Sequence, residues 1–271
     1  MHGCHNDYIY LDNIDGKILT DFSKLAVKVS DRKTGIGSDG LIVLEKPENP
    51  KCLVKMKMFN ADGSEGKMCG NGIRCVAKLA FEKYGKQESY KIETASGVRE
   101  CFILDSSDPK RFIVKVNMGR PSFLPTSLPV LFDDMMVLGE EFEVEDQTFK
   151  INCVSMGNPH CVIFVDDVDK FDVARYGSKI EKHEVFPEGV NVEFVEVRNG
   201  EVKQRTWERG SGETQACGTG ACAVGVFLIM GGKMKSPVKI QLRGGSLTID
   251  WDGLHEVWLS GEAVTESTGI I

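Results

Sequence analysis

Two cysteines in this sequence have matching surroundings that could turn a thiol into an acid–base catalyst. Cys69 and Cys217 each open a Cys-Gly-x-Gly run that leads into a helix-like pattern. The first amide groups of a helix have no partners within the helix and carry partial positive charge. A thiol placed there is expected to ionise more easily, and the same amides can hold an anion such as a carboxylate. The pattern predicts two thiols that exchange protons beside a bound carboxylate.

The segments around the two cysteines belong to an internal duplication. Asn60 precedes Cys69 by nine residues, as Glu208 precedes Cys217. A spacing of 33 residues also recurs, in the pairs Asn6 with Asp39 and Asn158 with Asn191. These spacings offset the two copies by 152 residues at the asparagines and by 148 at the cysteines. Two related halves would allow one cysteine from each half to meet across a cleft.

Composition and charge favour a globular cytoplasmic protein. Of the 271 residues, 41% are hydrophobic and 27% are charged, and the length suits two domains. The formal net charge of −7 argues against nucleic acid or an anionic membrane as a partner. The longest apolar run, residues 221–230, is about half of what a bilayer requires, and no signal peptide is apparent. Nine scattered cysteines, an odd number, indicate reduced thiols.

Periodicity predicts many short strands and a few helices. Apolar residues recur at steps of three and four over residues 70–84, and Gly85 suits the C-terminal cap. The helix after Cys217 has no polar face, so it must be buried on every side. Further predicted elements are a short helix over 22–29, a helical stretch over 168–182, one strand over 142–152 and a hairpin turn at Gly244-Gly245.

The simplest way to bury a helix that is apolar all round is to wrap a curved sheet around it. The sequence therefore predicts an α+β fold with two pseudo-symmetric lobes, each a curved, mainly antiparallel sheet around a central helix. Residues 1–118, joined by the tail 262–271, are expected to form the lobe that carries Cys69. Residues 119–261 are expected to form the lobe that carries Cys217, and the proline-rich segment 119–129 is the expected crossing.

Other uses of the cysteines and glycines fit the spacing less well. Cysteines six and five residues apart, as after Cys69 and Cys217, differ from the close CxxC pairs of zinc sites, so no metal is expected. The glycine runs lack the lysine of a GxxxxGK[ST] loop and a complete GxGxxG, so no nucleotide is expected. The remaining cysteines are expected to pack in the core: Cys4, Cys52, Cys75, Cys101, Cys153, Cys161 and Cys222.

Taken together, the motifs resemble those of the diaminopimelate epimerase family along nearly the whole chain. The matching segments are His2-Gly3 with Asn6-Asp7, Gly35-Ile36-Gly37 with Asp39-Gly40, and residues 59–65, 68–75, 156–160, 191–194, 208–210 and 216–220. Each glycine run alone is weakly specific, whereas the whole set is highly specific. The resemblance implies a cofactor-independent isomerase that interconverts L,L- and meso-diaminopimelate on the route to lysine and peptidoglycan.

The same resemblance implies roles for individual residues. Cys69 and Cys217 match the family's two acid–base residues. The residues that match the backbone cradle for the reacting carboxylate are Gly70, Asn71, Gly218 and Thr219. Those that match groups holding the substrate are Asn6, Asn60, Asn158, Asn191 and Arg209, with Arg209 on the distal carboxylate. His160 and Glu208 match polar residues beside the thiols, Glu208 being also a candidate substrate contact, and a homodimer is implied.

One residue departs from the family pattern. His5 stands directly before Asn6, where the family usually has glycine, and its bulk could shift Asn6 or narrow the pocket. A racemase of another amino acid, of the proline or histidine type, with the same two-thiol chemistry therefore remains an alternative. A non-catalytic metal- or ligand-binding protein is the alternative from a different class.

Alkylation separates the enzyme from the binding protein. If both thiols act, alkylating either Cys69 or Cys217 should abolish proton exchange, because each handles the proton on one face of the substrate. A binding protein would instead hold zinc and be indifferent to alkylation. The measurement is residual epimerase or racemase activity after labelling, with the modified peptide identified by mass spectrometry. Full activity in protein labelled at Cys217 would contradict the assignment.

Overall fold

The structure is a computed structural model that describes residues 1–132 and 136–270. Asp133, Asp134, Met135 and Ile271, which fall within the segments expected to form the lobes, lie outside the described residues. The chain divides into two compact units. Unit 1 comprises Met1–Asn117 and the chain from Ser260 onward, and unit 2 comprises Met118–Leu259.

The helices and strands are numbered along the chain. The elements up to the first unit boundary are β1 (His2–Gly3), β2 (Asn6–Asn13), α1 (Phe22–Ser30), β3 (Gly40–Glu45), β4 (Val54–Asn60), β5 (Glu65–Gly66), α2 (Gly70–Tyr84), β6 (Tyr90–Thr94), β7 (Gly97–Asp108) and β8 (Arg111–Gly119). A 3-10 turn at Pro125–Ser127 follows. The later elements are β9 (Leu138–Val144), β10 (Gln147–Ser155), β11 (Pro159–Phe164), α3 (Val173–Glu181), β12 (Asn191–Arg198), β13 (Glu201–Glu208), β14 (Gly212–Thr214), α4 (Gly218–Met230), β15 (Val238–Leu242), β16 (Gly245–Asp250) and β17 (Val257–Val264).

The strands of unit 1 close into a circuit around α2. Antiparallel pairs join β1 to β2, β3 to β4, β6 to β7 and β7 to β8, and parallel pairs join β2 to β3 and β4 to β6. The last strand, β17, pairs with both β1 and β8 and so completes the circuit. A closed sheet leaves no unpaired edge. Because α2 contacts β1, β2, β4, β6 and β7, it is the central helix of this unit.

Unit 2 repeats the same order of elements. A parallel pair, β11 and β12, is followed by the β12–β13 hairpin, the short β14, helix α4, the parallel return to β15 and the β15–β16 hairpin. Helix α4 contacts β10, β11, β12, β15 and β16. Its residues from Gly220 to Leu228 are all buried, as the absence of a polar face predicts. The expected α+β fold, with a sheet around a central helix in each half, is confirmed.

The pairing of the strands changes one equivalence between the two halves that was inferred from the spacing of 33 residues. Leu41 lies opposite Phe59, and Val192 lies opposite Trp207, 148 residues after Phe59. Leu41 therefore corresponds to Val192, which makes Asn191 the counterpart of Gly40 and not of Asp39. The recurring spacing of 33 residues is a coincidence at this point, because the connection before the second strand is one residue shorter in unit 2.

Two predicted elements have wrong bounds. The strand expected over 142–152 is two strands, β9 and β10, joined by a turn in which Glu145 has a φ of 55°. The helix expected over 168–182 begins only at Val173, where Asp172 caps it by accepting from the Arg175 amide. A local reversal and a cap are set by single residues, which an apolar pattern alone does not locate.

All nine cysteines lie within the described residues, and none forms a disulfide. The seven that were expected to pack in the core are buried. Within residues 1–132 and 136–270, no helix combines the length and the apolar character needed to cross a membrane.

Close packing of α4 generates a stability prediction. A Cβ on Gly225 would lie 2.6 Å from Ile249 Cγ2 and 2.8 Å from Ile249 Cβ, and the second atom cannot move without the strand. Alanine gains about 1 kcal/mol over glycine in a helix, whereas overpacking costs about 1–3 kcal/mol. Gly225→Ala should therefore lower the free energy of unfolding in a denaturant titration.

The control is Gly269→Ala, since no neighbouring atom lies within 4 Å of the added Cβ. Its free energy of unfolding should stay within about 0.5 kcal/mol of the parent value. A Gly225→Ala protein that is more stable than the parent would show that helix propensity outweighs the packing conflict.

Candidate active site

Cys69 caps the central helix of unit 1. Its backbone is extended, and its Sγ accepts a hydrogen bond from the Gly72 amide at 3.4 Å. The same sulfur donates to Asn6 Oδ1 at 3.3 Å. The sulfur takes the position that a serine or aspartate oxygen has in most helix caps, so local backbone geometry aims the thiol.

The amides beside Cys69 have a fixed orientation. Asn6 Nδ2 donates to Asp39 Oδ2 at 2.7 Å, and an ionised carboxylate can only accept. Asn71 Nδ2 donates to Asn6 Oδ1 at 3.4 Å, while Asn71 Oδ1 accepts from Arg74 Nη2 at 3.0 Å. A guanidinium can only donate, so both ends of this chain impose the same direction. Asn6 therefore presents its carbonyl oxygen to the Cys69 thiol.

Cys217 caps the central helix of unit 2 in the same way. Its Sγ accepts from the Gly220 amide at 3.4 Å and lies 3.5 Å from Thr219 Oγ1. Cys217 is buried, whereas Cys69 is half-buried. The sequence prediction that both cysteines precede a helix start is correct to the residue.

A cluster of buried polar groups lies beside Cys217. His160 Nδ1 is 2.8 Å from Glu193 Oε1, and both side chains are fully buried. His160 Nε2 is 3.0 Å from Asn158 Oδ1. Glu208 Oε1 accepts from Thr214 Oγ1 at 2.6 Å. Strands β11, β12 and β13 each supply one titratable side chain, so the sheet places two carboxyl groups and an imidazole near one thiol.

Burial makes the Cys217 thiol harder to ionise than its position at a helix start predicts. It raises the pKa of the Cys217 thiol well above the ordinary 9.0, and the carboxylates of Glu208 and Glu193 raise it further. The Thr219 hydroxyl and the Gly220 amide lower this pKa but do not compensate. The expectation that the helix start makes this thiol more acidic is therefore wrong for Cys217, because desolvation disfavours the anion more than the amides favour it.

Burial and hydrogen bonding also have opposite effects on the pKa of Glu208. Burial raises the pKa of its carboxyl group, while the hydrogen bond from Thr214 lowers it. Glu208 is therefore a carboxyl group with a raised pKa next to a thiol whose pKa is also raised.

Three residues that were expected to contact the substrate form hydrogen bonds within the protein. Asn60 Nδ2 donates to Ser64 Oγ at 2.9 Å. Asn191 Nδ2 donates to the Pro159 carbonyl at 2.8 Å, and its Oδ1 accepts from the Arg209 amide at 3.0 Å. Asn191 thus holds the backbone around Arg209. The Arg209 side chain is exposed, with Nη1 donating to the Glu188 carbonyl at 3.0 Å.

His5 lies in the tight turn between β1 and β2. Cys4 and His5 have φ values of 54° and 59°, a left-handed conformation that glycine adopts most easily. The His5 ring stacks on the His2 ring at a centroid distance of 5.0 Å, and its amide donates to His2 Nδ1. The stacking with His2 accompanies a conformation that is strained for histidine.

Among the described residues, His160, Glu193 and Cys217 could hold a metal ion. One donor atom from each lies within 4.8 Å of the others, and sulfur, nitrogen and oxygen together form a donor set that zinc accepts. The sequence spacing of the cysteines does not reveal this group, because its members come from three different elements.

Sequence reasoning misses Glu193, Thr214 and Arg74. Glu193 is a charged residue within the buried strand β12, and no spacing in the sequence pairs it with His160. Arg74 is a charged residue on the apolar face of α2, and it is fully buried. Thr214 lies in the short strand β14, and no pattern identifies it.

Solved structures with this fold include known isomerases. A phenazine biosynthesis protein of the PhzF family from Bacillus anthracis matches with a TM-score of 0.66 at 17% identity, covering 96% of this chain and 91% of its own. A hydroxyproline epimerase from Agrobacterium vitis matches with a TM-score of 0.59 at 16% identity, covering 97% and 87%. At such identities the likeness concerns the fold. The chain has the fold of these proteins, with a cysteine capping the central helix of each unit.

The family follows from the sequence comparisons. The sequence model described as diaminopimelate epimerase matches residues 1–124 and 152–266. A diaminopimelate epimerase from Bacillus cytotoxicus is 45% identical over 276 residues, covering 100% of this chain and 95% of its own. One from Acetivibrio thermocellus is 44% identical over 267 residues, covering 97% and 94%. The chain belongs to the diaminopimelate epimerase family, which confirms the resemblance seen in its motifs.

The raised pKa of Cys217 predicts how its labelling depends on pH. The thiolate is the form that reacts, so alkylation of Cys217 in the folded protein should keep accelerating above pH 9.0, the ordinary pKa of the group. Glu208→Gln removes a negative charge beside the sulfur and should move the labelling curve to lower pH. The measurement is the labelling rate of the Cys217 peptide by mass spectrometry, with circular dichroism to verify folding at each pH. A midpoint at or below 9.0 in the parent would contradict the assignment.

Proposed function

We propose that the protein interconverts L,L- and meso-diaminopimelate without a cofactor, with Cys69 and Cys217 as the acid–base pair, in the synthesis of lysine and peptidoglycan precursors. The observation that carries the proposal is the matched capping of two buried helices by cysteine in a chain of this family. In each unit the sulfur accepts from the third amide of its helix at 3.4 Å. The start of each helix carries partial positive charge, which suits a bound anion.

The proposed reaction is proton exchange at the α-carbon. One thiolate removes the α-proton and becomes a thiol, and the other thiol delivers its proton to the opposite face and becomes a thiolate. The electron pair left by the broken C–H bond forms the new one, so configuration inverts without redox change. The carbanion needs stabilisation as it forms, and the amides at Gly70, Asn71, Gly218 and Thr219 are proposed to supply it through the α-carboxylate.

The two thiols are proposed to begin the reaction in different states. The environment that raises the pKa of Cys217 keeps its proton in place, so Cys217 is assigned as the donor in the resting enzyme. Cys69, whose thiol donates to Asn6 in the structure, must lose that proton before it acts as the base of that turnover, and the reverse reaction exchanges the roles. Glu208 and His160 are proposed to support Cys217, since they come from the strands that flank it.

The remaining substrate contacts follow from exposure and donor type. Arg209 presents a guanidinium at the surface, which suits the distal carboxylate of the substrate. Asn191 is proposed to act through Arg209, whose backbone it holds. The amides of Asn6, Asn60 and Asn158 can donate and accept, as recognition of an ammonium and a carboxylate requires.

Diaminopimelate is preferred to other amino acids on the strength of the sequence relatives. Proteins named diaminopimelate epimerase are 42–45% identical over nearly the whole chain. The solved structures named hydroxyproline epimerase and probable proline racemase are 16% and 15% identical, so their likeness concerns the fold. A cytoplasmic homodimer is part of the proposal, and the nine free cysteines support a reducing compartment.

Isotope exchange tests the substrate and the reaction together. In deuterated water, the parent protein should incorporate deuterium at the α-carbon of both diaminopimelate isomers, seen as loss of the α-proton signal by NMR. Cys69→Ser and Cys217→Ser should each lower turnover by about 10²–10⁴-fold, because a hydroxyl is a far weaker acid–base group than a thiol.

Cys52→Ser is the matched control, a buried cysteine outside both helix caps, and it should retain turnover. Exchange with proline but not with diaminopimelate would refute the substrate. A fully active Cys217→Ser protein would refute the two-thiol mechanism.

A further inference from the structure

Unit 2 carries a carboxylate where unit 1 has an apolar side chain. The register that matches Leu41 with Val192 makes Ile42 the counterpart of Glu193. Packing against the two helix starts independently supports the equivalence of Ile42 and Glu193. A Cβ on Gly72 would lie 2.6 Å from Ile42 Cδ1, and a Cβ on Gly220 would lie 2.5 Å from Glu193 Oε1. Ile42 and Glu193 are both fully buried, so the duplicated scaffold accommodates an aliphatic residue at this position.

A second pair of equivalent positions also has an apolar side chain in unit 1 and a polar one in unit 2. Met56 contacts the added Cβ on Gly72, and Gln204 contacts the one on Gly220. Glu193 Oε2 and Gln204 Oε1 have no hydrogen-bond partner among the residues that the structure describes. Burying a carboxylate that has an unpaired oxygen lowers the stability of the folded state. A role in catalysis would explain why the residue is there. Glu193 is therefore a poor choice for stability alone.

Glu193 determines which nitrogen of His160 carries hydrogen. Its Oε1 lies 2.8 Å from His160 Nδ1, and a carboxylate accepts, so Nδ1 is the donor. The other ring nitrogen, Nε2, lies 3.0 Å from Asn158 Oδ1.

The Glu193 carboxylate also lies close to the Cys217 sulfur. One donor atom each from His160, Glu193 and Cys217 lies within 4.8 Å of the others. The groups that face Cys217 are His160 from β11, Glu193 from β12, Glu208 from β13 and the amides and hydroxyl of the first turn of α4. At the start of α2 the position equivalent to Glu193 holds Ile42, so unit 1 has no carboxylate at that position.

We propose that Glu193 is a positioning residue of the reaction: it holds His160 with hydrogen on Nδ1 and keeps negative charge behind the Cys217 thiol. The inference rests on the proposed function for its effect on turnover. Its effects on His160 and on the Cys217 thiol do not depend on any substrate.

Three variants test the role in catalysis. Glu193→Gln preserves shape without charge, and Glu193→Ile copies the residue that unit 1 has at this position. Glu196→Gln is the matched control, because Glu196 lies on the same strand, is also buried and accepts from the Val168 amide. Both Glu193 variants should lower kcat for diaminopimelate by about tenfold or more with little change in KM, and the control should resemble the parent.

A second readout needs no substrate. Alkylation of Cys217 should shift to lower pH in Glu193→Gln, while alkylation of Cys69 should keep the parent curve. If diaminopimelate proves not to be the substrate but this shift occurs, the inference about Glu193 stands and only the proposed substrate fails. Unchanged Cys217 labelling together with a kcat within twofold of the parent, or an equal effect in Glu196→Gln, would overturn it.

The parent protein alone supplies a third readout, which holds even if a variant fails to fold. In protein labelled with ¹⁵N-histidine, the His160 signals, assigned by their loss in His160→Gln, should show hydrogen on Nδ1. A His160 ring with hydrogen on Nε2 and none on Nδ1 would overturn the inference.

Discussion

The candidate site depends on a sulfur atom that takes the place of oxygen at the cap of each central helix. The first turn leaves amide donors without helical partners, and each cysteine satisfies the third of them at 3.4 Å. This contact fixes the direction of the thiol. Packing explains the glycine at the third helical position, because a side chain at Gly72 or Gly220 would collide with Ile42 or Glu193.

The cap does not by itself make an acidic thiol. At Cys217 the helix amide and the Thr219 hydroxyl favour the anion, but burial and two carboxylates act in the opposite direction and raise the pKa. Loss of hydration outweighs a few oriented dipoles when the group is nearly sealed from water. At Cys217 the buried helix cap therefore favours the protonated thiol.

Duplication supplied two copies of one scaffold, and the side chains around it diverged. In unit 1 the thiol faces amides whose direction is set by Asp39 and Arg74, with Ile42 and Met56 beneath the helix start. In unit 2 the same positions hold Glu193 and Gln204, and His160 and Glu208 lie nearby. The backbone geometry is retained, while the charge of the side chain beneath the helix start differs between the two units.

Features that depend on short-range patterns could be predicted from the sequence. The Cys-Gly-x-Gly runs located both helix starts, Gly85 located a helix end, the all-apolar run of α4 required a surrounding sheet, and the combined motifs indicated the family. Features that depend on register and on contacts between distant residues became apparent in the folded chain. These include the pairing of Glu193 with His160, the use of Asn191 on the Arg209 backbone and the match of Asn191 with Gly40. Side chains alternate between the two faces of a strand, so one residue more or less in a connection changes every partner, and no local pattern records that count.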